Sequence, residues 1–103
     1  MNSNKVVIDK KDNITIVKVN GDFITYMRDD IQSHFYQLAE EVNTDIMLDL
    51  QNSDFMDSSG VALIVHLYKK VHSLGHELKI INTQHQPLSV FRLLEIDKII
   101  SIS

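Results

Sequence analysis

The sequence predicts an α/β domain: a mixed, mostly parallel sheet of about five strands with three main helices, in the order ββαβαβαβ. Three observations carry this. Two β-branched runs, Lys5–Asp9 and Ile14–Val19, flank the polar turn Lys10–Asn13 and read as a hairpin. From Tyr26 to Val42 the apolar period lengthens: Met27, Ile31, Phe35, Leu38 and Val42 recur at steps of four, four, three and four, one stripe on a helix. Short apolar runs then alternate with helical stretches, which implies parallel strands joined by right-handed crossovers.

Each element has its own signal. Asn20-Gly21-Asp22 ends the second strand, and Thr25 is a candidate cap for the first helix. Asp29, Asp30, Gln32, Gln37, Glu40 and Glu41 fall largely off the apolar stripe, and Asn43-Thr44 breaks the helix. Ile46–Leu50 is the third strand. The second helix starts at Ser58 or Ser59 and runs to about Leu74, where Gly75 suits a left-handed terminus. Lys69, Lys70 and His72 lie near its C-terminal end, the favourable end for positive charge. Glu77–Ile81 is the fourth strand. Pro87 suits the first turn of a short helix, with Leu88, Phe91, Leu94 and, at the margin, Val90 on its buried side. Lys98–Ile102 is expected as the fifth strand.

Composition narrows the function. A chain of 103 residues fits one domain, 1–103. It has no cysteine, so disulfides, thiol chemistry and cysteine-ligated zinc are excluded. The net charge is −4 and no Lys/Arg run exceeds two residues, which argues against nucleic acid as a partner. No apolar run approaches the ~20 residues that span a bilayer. The opening Met-Asn-Ser-Asn-Lys lacks the apolar core of a secretion signal. The expectation is a soluble cytoplasmic domain with no membrane partner.

The stretch most suggestive of function is Asp54-Phe55-Met56-Asp57-Ser58-Ser59-Gly60. In open α/β sheets, functional loops gather beyond the carboxyl ends of the strands. Asn20–Thr25, Gln51–Ser58 and Asn82–Gln86 should therefore meet on one rim. Asp57, Ser58 and Ser59 are all good helix caps, and the helix mouth tolerates an anion. The plain reading is a strand–loop–helix junction with a polar cap. However, Phe55 and Met56 are apolar residues in a loop. Val61, Ala62 and Leu63 point in adjacent directions and cannot all face the core. Some apolar surface beside Ser58 is therefore expected to be exposed.

Other chemistry fits less well. His72 and His76 are four apart, but Gly75 ends the helix between them and no third ligand sits at a telling distance, so no metal is implied. His66 lies among apolar residues and reads as a partly buried side chain. Met56-Asp57-Ser58-Ser59-Gly60 lacks the first glycine of a hydrolase elbow. A phospho-aspartate receiver would use Asp49 or Asp54, but it needs an acidic cluster for Mg²⁺ where the chain has only Asp9.

The motif Asp54–Gly60 resembles the signature of the STAS-domain anti-sigma factor antagonists. The likeness extends over almost the whole chain, from the hairpin and Gly21-Asp22 to Leu93-Leu94-Glu95-Ile96-Asp97-Lys98-Ile99-Ile100. It implies a non-enzymatic partner-switching protein without a cofactor of its own. In that family an anti-sigma factor that is also an ATP-dependent serine kinase phosphorylates the serine after the motif aspartate, here Ser58, and a PP2C-type phosphatase reverses this. The unphosphorylated protein binds the kinase and frees the sigma factor. Asp22, Phe55, Met56, Asp57, Ser59, Gly60, Val61 and Ala62 would form the partner contact, with Asp57 also placed to orient the Ser58 hydroxyl. The chain departs from the family at Val61-Ala62, where Leu-Gly is usual, and at Ile24, where an acidic residue is favoured. The alternative is a STAS module that is never phosphorylated and serves as a scaffold or transporter accessory.

Overall fold

A computed structural model describes residues 5–23 and 28–103. Ile24, the cap candidate Thr25, Tyr26, Met27 and the side chains of Asp29 and Asp30 lie outside it. Strands β1 (Val6–Lys10) and β2 (Ile14–Asn20) form the hairpin. They are followed by α1 (Arg28–Glu41), β3 (Asp45–Asn52), α2 (Ser58–Ser73), β4 (Leu78–Ile81), α3 (His85–Leu93) and β5 (Ser101–Ile102). The strands lie side by side in chain order, β1-β2-β3-β4-β5; β1 pairs antiparallel with β2 and every later pair is parallel.

That strand order decides the layering. Successive crossovers that step the same way with a common hand put their helices on one face of the sheet. The burial pattern agrees. Thr15, Val17 and Val19 of β2, Ile46, Leu48 and Leu50 of β3, and Leu78 and Ile80 of β4 are all turned inward. The apolar members join one core with Phe35 of α1, Ile64 and Leu67 of α2 and Phe91 of α3. The alternate residues Ile14, Ile16, Lys18, Met47, Asp49 and Ile81 lie outside that core and are half-buried.

Ile31, Phe35, Leu38 and Val42 form the predicted α1 stripe, all buried. The end of α2 also matches its signal. Gly75 has φ +82°, its N–H donates to the His72 carbonyl, and the His76 N–H donates to the Val71 carbonyl. These two bonds satisfy the last carbonyls of the helix.

The last segment differs from expectation. Lys98–Ile102 is not a continuous strand. Glu95 takes a left-handed conformation, φ +59°, and starts a 3-10 turn over Ile96–Lys98. The N–H groups of Ile99 and Ile100 both donate to the Ile96 carbonyl. The turn drives Ile96 and Ile100 into the core, leaving only Ser101–Ile102 to pair with β4. Leu94 is not on the buried side of α3: the helix ends at Leu93, and Leu94 as its C-cap is 47% exposed. His66 is exposed rather than partly buried, and its ring packs edge-on against Tyr36.

Phe35 is fully buried, and its ring meets Phe23 edge-to-face with centroids 5.4 Å apart. Phe35→Ala removes both the burial and the ring contact. It should lower the free energy of unfolding by about 3–5 kcal/mol, measured by urea titration.

Candidate functional site

The loops after β2 and β3 are joined into one rim. The Gly21 N–H donates to the Asn52 carbonyl at 3.1 Å, and the Phe23 N–H to the Phe55 carbonyl at 2.9 Å. The Phe23 carbonyl in turn accepts the Asp57 N–H at 3.0 Å. Asp22 Oδ1 accepts the N–H groups of Asp54 and Phe55. Beneath them the fully buried Ser53 hydroxyl donates to the Gly21 carbonyl at 2.8 Å. Helix α3 closes the rim through Gln86 in its first turn, whose side-chain amide accepts the Met56 N–H at 2.8 Å and donates to the Met56 carbonyl at 3.0 Å. A side-chain amide here acts as a neighbouring strand would.

Helix α2 springs from this rim. Asp57 is its N-cap, with extended backbone. Its Oδ1 accepts the N–H of Ser59 at 3.0 Å, the N–H of Gly60 at 3.2 Å and the Ser59 hydroxyl at 2.7 Å. Ser58 is the first residue of the helix and is exposed, and its hydroxyl has no hydrogen-bond partner among the described residues. One carboxylate thus takes two N–H groups of the first turn, and Ser58, between its contacts, is left exposed.

Gly60 sets how closely this turn approaches the β2 loop. A Cβ at this position would lie 2.5 Å from the Phe23 carbonyl oxygen and 2.7 Å from Phe23 Cβ. Real side chains do not tolerate such contacts, so only glycine lets α2 start here.

A STAS domain model matches residues 5–103. The chain belongs to the STAS domain family. An anti-sigma-B factor antagonist of Bacillus subtilis is 30% identical over 98 residues, spanning 93% of this chain and 89% of the relative. An anti-sigma factor antagonist from Mycobacterium paratuberculosis superposes with a TM-score of 0.84 at 14% identity, over 94% of this chain and 82% of that one. The phosphorylated form of the Bacillus cell fate determinant SpoIIAA gives a TM-score of 0.71 at 15% identity, over 95% and 90% of the two chains. At these identities the two solved structures speak to the fold alone.

The structure of this STAS domain sorts the motif residues into three groups. Ser58 and Ala62 are exposed one helical turn apart, and Phe55, in the loop before the helix, is 56% exposed. Asp22, Asp57 and Ser59 are half-buried in the hydrogen bonds above. Met56, Gly60 and Val61 are buried, which corrects the expectation that they offer contact surface. Met56 is drawn in by its pairing with Phe23 and Gln86, Gly60 by the Phe23 backbone, and Val61 by the helical period. Asp57 is tied to the Ser59 hydroxyl; no described bond runs from it to the Ser58 hydroxyl, the role expected of it. Ser53 and Gln86 also hold the rim, and no local pattern in the sequence marks either. A serine in a polar loop carries no mark of burial, and Gln86 finds Met56 only when α3 returns to the rim.

Among the described residues no group of three or more His, Cys, Asp or Glu side chains is placed to hold a metal ion, and no helix is long and apolar enough to cross a membrane.

Two substitutions test this framework. Gly60→Ala should lower the free energy of unfolding by about 1–3 kcal/mol in urea titration, despite alanine's better helix propensity. Gln86→Leu strands two backbone groups of Met56 and should cost about 1–3 kcal/mol locally. That loss should appear as faster hydrogen exchange at Met56 and its loop.

Proposed function

We propose that this protein is an anti-sigma factor antagonist switched by phosphorylation of Ser58. One observation carries the reading: the Ser58 hydroxyl is exposed and unpartnered among the described residues, while the hydroxyl of Ser59 next to it is held by Asp57. A kinase needs a hydroxyl that can leave its own chain's hydrogen bonds and reach a foreign active site. The name of the B. subtilis relative supports the same role.

The partner is an anti-sigma factor that also acts as the serine kinase. It brings its own ATP and Mg²⁺, and a PP2C-type phosphatase restores the hydroxyl. The STAS domain itself supplies a surface and a substrate, not catalysis. Phe55 and Ala62 provide the exposed apolar contact on either side of Ser58. Asp22, Asp57 and Ser59 form its polar border. Met56, Gly60 and Val61 act from below, by holding the loop and helix in place.

The switch follows from charge. A phosphate brings about −1.5 to −2 charges. In the free protein it would sit at the first residue of α2, where the helix dipole tolerates an anion. In the complex it would enter an apolar contact beside Asp54 and Asp57. A mispaired charge in an interface costs on the order of 2–5 kcal/mol, tens to thousands of fold in affinity. Phosphorylation therefore ends docking and leaves the fold in place.

Incubation with the cognate kinase and ATP should give acid-stable phosphate at Ser58 by mass spectrometry, lost in Ser58→Ala. Ser58→Ala should bind the kinase constitutively. Ser58→Asp should fold normally by circular dichroism and bind at least about tenfold more weakly. Equal affinity of the two variants, with no modification of wild type, would favour the fixed scaffold or transporter-accessory role. Acid-labile phosphate at Asp49 or Asp54 would favour a receiver.

A further inference from the structure

The helices cover one face of the sheet, and its other face carries an ordered pattern of charge. The strand registers place Asp9, Ile16, Met47 and Lys79 in one row across β1, β2, β3 and β4. The row above it runs Val7, Lys18, Asp49 and Ile81. All of these are half-buried or exposed. In each row the second half complements the first half reversed. Acid at one end of the first row answers base at the other, and the apolar pair lies between. In the second row base and acid sit together, flanked by apolar residues.

We propose that this face binds a second copy of the chain, sheet to sheet, about a twofold axis that runs along the strands between β2 and β3. Such an axis lays β1 over β4 of the other copy and β2 over β3, with each row facing itself. Asp9 then meets Lys79, Ile16 meets Met47, Lys18 meets Asp49, and Val7 meets Ile81, each contact occurring twice. Isologous contacts of this kind need a self-complementary patch. Charge pattern is what selects a copy over another partner. A foreign protein has no reason to carry both rows in reverse, whereas a second copy must.

The existing contacts of these groups leave the pattern available. Lys18 and Lys79 form no ion pair among the described residues. Among the described residues Asp9 pairs only with Lys11, at 3.3 Å between two well-exposed side chains, worth little in water. Asp49 Oδ1 accepts the Gln51 N–H and the Asn82 amide, which orient the carboxylate at the sheet surface. Four strands about five residues long cover roughly 300 Å² per copy, small for a specific interface. The dimer is therefore reversible and concentration-dependent. An axis along the strands keeps strand direction, so both Ser58 loops emerge at the same end of the pair. The face itself lies opposite the helices, and the inference stands apart from the role assigned to Ser58.

Sedimentation velocity across a concentration series tests it. Wild type should pass from monomer to dimer below roughly 1 mM and dissociate as salt is added. Asp9→Lys sets lysine against Lys79 and should weaken dimerisation by roughly tenfold or more. The double variant Asp9→Lys/Lys79→Asp restores the complement and should recover it. Both positions are exposed, and circular dichroism checks each fold. Met47→Glu should abolish the dimer. A monomer at every concentration overturns the proposal, as does a double variant no better than Asp9→Lys, or a dimer indifferent to all of these changes.

Discussion

The backbone of Phe23 is the point on which the rim around Ser58 depends. Its N–H and carbonyl reach across to Phe55 and Asp57, extending the β2–β3 pairing beyond the sheet. Its carbonyl also lies against Gly60, at a distance that leaves no room for a methyl group. One residue therefore fixes the height of the Ser58 loop and the starting point of α2. Below it, the ring of Phe23 is buried against Phe35, so the rim is anchored in the same core that holds the helices. A loop secured in this way can present an exposed side chain without being mobile itself.

Within the motif, capping and exposure fall to different side chains. Asp57 meets the cap requirement of α2 and holds the Ser59 hydroxyl. Ser58, between them, is spared that work. A helix needs one good cap, and a sequence offering three oxygens in a row has two to spare. The geometry assigns the cap to the first of them. It leaves the second exposed at the mouth of the helix, where added negative charge is least harmful to the free protein.

The one-sided sheet is a consequence of strand order. A chain that adds every new strand to the same edge places every crossover helix on the same side. The core then has a single wall of strands, and the opposite wall retains mixed character: isoleucine and methionine beside lysine and aspartate. Residues there alternate with the core positions along each strand, so their spacing carries two messages at once. The inward set builds the fold, and the outward set carries a charge order that only the registers reveal.

Periodicity in the sequence determined the elements, because helix and strand patterns depend on near neighbours. The α1 stripe, the hairpin, the Gly75 terminus and the α/β order were all legible for that reason. So was the apolar exposure near Ser58, since Val61, Ala62 and Leu63 cannot all turn inward on one helix. Tertiary structure decided what depends on distant partners. It chose Asp57 among three cap candidates and buried Met56 and Val61. It also brought Gln86 to Met56 across thirty residues and cut the expected fifth strand back to Ser101–Ile102, behind a 3-10 turn, with Ile96 and Ile100 set into the core. Local sequence records a residue's chemistry and its angle around an axis, but not which foreign atoms will stand opposite it. Those contacts exist only once the loops have closed on one another.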